Sequence, residues 1–156
     1  MGGVSKLERY KNVVYLASST SLMGIDLIKR REIHIHAFQS MVAGIHLYDP
    51  AEVSSNGKKV YRMPVRGMIN NAKMICLTWE GLLFIFDIDS DGTRLKVHDK
   101  VQVTDSEQIT FHTVAASSYY IAVSGRTSDS YRIVKVLQRL ENKQLYTIRL
   151  RQGKYK

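Results

Sequence analysis

The residues of this chain best placed to do chemistry are His34-Ile35-His36. Positions i and i+2 of a strand project from one face, so the spacing predicts two neighbouring imidazoles, a geometry that metal sites in β-proteins use. A site needs a third ligand, and the sequence does not assign His46, His98, His112 or Asp49 to it. The plainer reading is two solvent-facing histidines beside a buried Ile33/Ile35 pair. Asp87-Ile88-Asp89-Ser90-Asp91-Gly92 opens like a calcium loop, but His98 stands where an EF-hand supplies its bidentate glutamate. An Asp-Gly hairpin turn is the expectation there. Ser18, Ser19 and Ser124 lie in no Gly-x-Ser-x-Gly elbow, and Cys76 sits in the apolar run Met74-Ile75-Cys76-Leu77 without an activating neighbour. Ser55-Asn56-Gly57-Lys58-Lys59 lacks the spacing of a phosphate-binding loop. No catalytic set and no cofactor are expected.

Charge points toward binding. Twenty-three Lys+Arg against 14 Asp+Glu give a net charge of +9, which favours RNA, acidic proteins or other anionic surfaces. The densest basic runs, Lys29-Arg30-Arg31 and the tail with Arg149, Arg151, Lys154 and Lys156, form the expected interaction surface. Tyrosines interspersed with basic residues suit RNA stacking, and strand tyrosines in a sheet core predict the same pattern. A single cysteine allows no internal disulfide, and no apolar run is long enough to span a bilayer. These features predict an intracellular protein, cytoplasmic or nuclear, with no membrane partner.

The elements that would position these groups are short strands. Runs of Val, Ile, Leu, Tyr and Phe are broken by Ser, Asn, Asp and Gly. Asn56-Gly57, between Ile45–Val53 and Lys58–Val65, and Asp91-Gly92, between Leu82–Ile88 and Arg94–Val101, predict hairpins, because both dipeptides tolerate positive φ. Tyr131–Asn142 has helical spacing at Ile133, Val136, Leu137 and Leu140, yet its β-branched residues favour a strand. The chain also repeats itself. Val13–Leu27 aligns without gaps to Met74–Ile88, with Asp26 on Asp87, and a third copy runs from Tyr120–Gly125 into Arg132–Val136. Further strands are expected at Glu32–Phe38, Arg94–Val103, Ile109–Val114 and Gln144–Leu150.

The repeat resembles degenerate WD40-type β-propellers. Phe86-Asp87 and Ile25-Asp26 stand where a Trp-Asp dipeptide ends a blade's third strand. The resemblance implies an all-β fold of antiparallel four-stranded repeats, a partial β-propeller of about three blades, with the β-trefoil as alternative. Residues 1–11 are read as an extension, 12–150 as one domain with units at about 12–38, 60–103 and 109–150, and 151–156 as a basic tail. Three blades leave open edges, so protein partners or self-association completing the propeller are expected. The expected function is a non-catalytic interaction or scaffold module. The alternatives are an RNA-associated structural protein and a metal-dependent enzyme using His34 and His36.

Overall fold

Alternating and doubly apolar runs such as Val13-Val14-Tyr15-Leu16-Ala17 and Met74-Ile75-Cys76-Leu77 suit strands that bury one or both faces. The computed structural model describes residues 4–48, 52–53, 59–60, 72–103, 108–117, 120–138 and 143–151, and among them there are strands and no helix. The first sheet is a meander of β1 (Val4–Tyr10), β2 (Val13–Ser18), β3 (Ser21–Asp26) and β4 (Arg31–Ala37). In the second, β5 (Val42–Tyr48), β8 (Lys73–Thr78), β9 (Leu82–Ile88) and β10 (Leu95–Gln102) pair in that order. The third runs β11 (Ile109–Ala116), β12 (Tyr120–Thr127), β13 (Tyr131–Gln138) and β14 (Lys143–Arg151). A two-stranded excursion, β6 (Glu52–Val53) and β7 (Lys59–Val60), separates β5 from β8.

The fold is a partial β-propeller, three blades stacked in chain order. The leading strands lie side by side, β1 against β5 and β5 against β11. Each junction is stitched alike. The residue that follows the blade's last strand donates to the β-turn between its middle strands: Phe38 N–H to Thr20 C=O at 2.7 Å, and Val103 N–H to Gly81 C=O at 2.8 Å. The next blade's first strand then donates to the first residue of that turn: Val42 N–H to Ser19 C=O at 2.8 Å, and Phe111 N–H to Trp79 C=O at 3.1 Å. A trefoil would share its strands in one barrel, whereas here no strand of one four-stranded sheet pairs with a strand of another.

Bulges repeat as well. The middle ladders β2/β3, β8/β9 and β12/β13 are regular, while both flanking ladders of every blade carry one register shift. An extra residue on each flank bends the strand and increases its twist.

Two cores hold the blades together. Tyr10, Tyr15, Leu22, Phe38, Ile45, Met74, Cys76, Phe84 and Phe86 fill the space between the first and second sheets. Ile75, Leu77, Leu83, Ile85, Phe111, Val114, Ile121, Val123, Ile133 and Leu137 fill that between the second and third. Neighbours on β8 and β9 thus face opposite cores, so the middle blade is covered on both sides and reads as a continuous apolar run.

Register corrects the sequence alignment in one respect. Asp26 does fall on Asp87, with Leu22 on Leu83. The turn Ser19-Thr20 is one residue shorter than Trp79-Glu80-Gly81, so β2 matches β8 one place earlier, Tyr15 on Ile75 and Ala17 on Leu77. A gapless match sets residues of opposite faces against each other in that strand, because the side-chain period is two. The third blade matches the second throughout. Thr127 occupies the place of Thr78, and each hydroxyl accepts the N–H of the residue four on, Tyr131 and Leu82, at 3.1 Å. Gly81 and Ser130 both have positive φ, 87° and 71°, as the closing residue of such a turn requires.

Other boundaries also move. Residues 4–10, read as an extension, are the first strand of blade one, and Val42–Tyr48 rather than a segment after residue 60 begins blade two. Only pairing with β2 and β8 identifies them, since β1 mixes charged and apolar residues without clean alternation. Of the hairpin expected over 45–53 and 58–65, the described residues show β6 paired antiparallel with β7, while Ile45–Tyr48 pairs instead with β8; the Asn56-Gly57 turn lies outside the described residues. The strand reading of 131–138 holds, as does the Asp91-Gly92 turn, where Gly92 has φ 83°.

Candidate interaction surfaces

A β-bulge separates the two histidines. Met23 pairs with His34 and Leu22 with His36, which leaves Ile35 as the extra residue on β4. Leu22 faces the core and Met23 the opposite side, so the imidazoles lie on opposite faces rather than on one. His34 is exposed. His36 packs against Phe38, Phe84 and Phe86, with ring centroids 4.6, 5.5 and 5.3 Å away. Burial, then the positive charges of His34 and Lys100, hold its pKa below the usual histidine value. With Thr78, Glu80 and Lys100, the rings of His36, Phe38 and Phe84 line a pocket of about 240 Å³ between the first two blades.

The acidic loop spends its carboxylates on closing its own turn. Asp89 accepts the N–H of Arg94 at 3.1 Å, and Asp91 accepts from the Thr93 hydroxyl at 2.7 Å and from its N–H at 3.1 Å. Those Thr93 bonds hold the Asp91 carboxyl down at about 2. Asp87 pairs with Lys73 (3.2 Å) and His98 (3.0 Å). Asp26, its counterpart in the repeat, instead accepts the N–H groups of Ile28 and Lys29, both at 3.0 Å. The turn also joins blades: Lys11 donates to Ser90 C=O, and the buried Tyr15 hydroxyl to Gly92 C=O. Burial pushes both the Tyr15 hydroxyl and the Cys76 thiol far up, so neither ionises near neutral pH.

The predicted basic surface divides between two blades. Lys29, Arg30 and Arg31 cluster at the exposed turn between β3 and β4, where Lys29 and Arg31 face Asp89 and Asp91 across an open cleft of about 900 Å³. Arg149 and Arg151 are exposed on β14 of the third blade. Arg149 lies 4.2 Å over the Tyr131 ring and 3.6 Å from Asp129. Lys154 and Lys156 lie outside the described residues.

Among the described residues, two blade faces have no neighbouring blade. On the first sheet, Val14, Leu16, Met23 and Ile25 alternate with core residues, are half-buried and belong to neither core; Leu7, beside Leu16, is 60% exposed. The outer face of the third sheet carries Val134, Val136, Ile148 and Leu150 together with Arg126 and Arg132. The apolar face was missed in the sequence. Its signal was the run Val13-Val14-Tyr15-Leu16-Ala17, apolar on both strand faces in a blade with a neighbour on one.

No protein-family model matches the chain, and no curated protein sequence matches it significantly.

Proposed function

We propose that the chain is a non-catalytic protein-interaction module, a WD40-like propeller segment that binds through a bare blade face. One observation carries the reading: Val14, Leu16, Met23 and Ile25 stand where the middle blade has Met74, Cys76, Phe84 and Phe86, all buried by a neighbour. Among the described residues no blade covers this sheet face, and a face built like a blade interface suits the docking of a protein partner. Asp26, Asp87, Asp89 and Asp91 are taken up by turn hydrogen bonds and ion pairs, and the Cys76 thiol is buried. That disposition supports binding rather than turnover.

A photoreactive amino acid at Leu16 tests this in cells. The expected result is a discrete protein adduct from position 16 and none from a probe at Ile28, which is 71% exposed on a turn away from the face. No adduct from position 16 would refute the proposal.

A further inference from the structure

We infer that the occupant of the first blade's bare face is a second copy of this chain, docked sheet to sheet about a two-fold axis parallel to the strands. The inference rests on the module reading above and names its partner.

The register lays the face out in rows. Arg9 pairs with Val14, Val14 with Ile25 and Ile25 with Glu32, so one row reads Arg9, Val14, Ile25, Glu32 across the four strands. The next reads Leu7, Leu16, Met23, His34. The first row therefore has an apolar centre, a cation at one end and an anion at the other. A two-fold axis along the strands sets β1 of one copy over β4 of the other and reverses every row. Arg9 then meets the other copy's Glu32, Glu32 meets its Arg9, and the apolar centres meet each other. An isologous interface must be self-complementary in this way. Both charged residues are exposed; Arg9 Nε donates to Lys11 C=O at 3.0 Å, which leaves its terminal nitrogens for a partner.

Closing a ring with the third blade of a second copy fits worse. Arg126 and Arg132 occupy there the positions of Leu77 and Leu83, which are fully buried in the middle blade. Seating them on Leu16 and Met23 would strip water from two guanidinium groups over a row, Leu7, Leu16, Met23 and His34, that holds no acid. The first blade's face is about 19 Å across four strands and about 20 Å along them. An interface of that size falls at the small end of specific contacts, so the association is weak and reversible.

Sedimentation equilibrium of the purified full chain from about 10 to 500 μM tests the inference, a range that resolves micromolar dissociation constants. The expected result is conversion of a 17.8 kDa species to one of twice that mass. Arg9→Glu and Glu32→Arg should each weaken association about tenfold or more, because each puts like charges at both ends of the row. The double swap should restore it to within about threefold. Arg9 and Glu32 of one copy are three strand spacings apart, about 14 Å, too far for rescue through an internal ion pair. Leu16→Lys should give a monomer with its thermal melt in place. A monomer across the whole range, or a double swap no better than the singles, overturns the inference. A Leu16 adduct with a different protein, alongside a monomeric purified chain, overturns the second copy and leaves the module reading standing.

Discussion

Replacing Ile85 and Phe86 by alanine, one at a time, tests two-sided burial where it is most demanding, because these neighbours on β9 point into different cores. Phe86 is 1% exposed and packs against Phe84, Phe38 and His36; Ile85 is 4% exposed among Ile75, Leu83 and Val123. Truncation removes transfer energy and leaves a cavity, about 4 kcal/mol for the phenylalanine and about 3 kcal/mol for the isoleucine. With a urea slope of about 2 kcal/mol per molar, the midpoints should fall by about 2 M and about 1.5 M. The first blade supplies the contrast. Leu22→Ala should cost about 3 kcal/mol, but Met23→Ala, one residue on and facing the bare side, about 1 kcal/mol or less in dilute protein. Urea unfolding followed by circular dichroism reads all four. A near-neutral Ile85→Ala would mean that the third blade does not cover the second. A Met23→Ala as costly as Leu22→Ala would mean that the first blade's outer face is already covered within one chain, and the argument for a docking face would fail.

Gly125→Ala should be costly for a different reason. A Cβ there would lie 2.4 Å from the Thr110 carbonyl oxygen and 2.9 Å from Phe111 Cα, both backbone, so β11 itself must shift. About 2 to 3 kcal/mol and a melting temperature lower by about 5 to 10 °C are expected, while Gly44→Ala, whose nearest neighbour would be 3.7 Å away, should leave the melt nearly unchanged. His36 predicts a pH dependence. Its folded pKa lies below the unfolded 6.5, so the unfolded chain binds more protons in that window; the contribution is complete above pH 6.5 and is lost as pH falls through the folded value. His36→Phe should therefore lose less thermal stability than the native chain between pH 7.5 and about 5, and equal losses would refute the assignment.

The strand content, the two-sided apolar run and the repeat were legible because each depends on local pattern. Leu82-Leu83-Phe84-Ile85-Phe86 announces a strand buried on both faces whatever its neighbours are. What pairing decides was not legible. Ser19-Thr20 and Trp79-Glu80-Gly81 both make acceptable turns, and only the ladder reveals that their difference shifts β2 by one residue and exchanges its faces. His34 and His36 failed as a pair for the same cause, since the alternation rule assumes a regular strand and the register shift at Ile35 breaks it. β1 was unreadable alone: Leu7 and Arg9 take their meaning from Leu16 and Val14 across the ladder.

The two outward faces are chemically unequal, and that inequality gives the proposed module a direction. At the positions of Leu77 and Leu83 the third blade has Arg126 and Arg132, both exposed, with Ser124 beside them, so its outer face is solvated even though Ile148 and Leu150 remain partly bare. The first blade has made no such exchange. Val14, Leu16, Met23 and Ile25 keep the apolar character of Met74, Cys76, Phe84 and Phe86, and the row through Val14 and Ile25 carries its charge at its ends, on Arg9 and Glu32. Apolar in the middle and oppositely charged at the two margins, this face has the layout of an interface core with a polar rim. Association is therefore expected through the first blade, with the third blade's basic face left toward solvent.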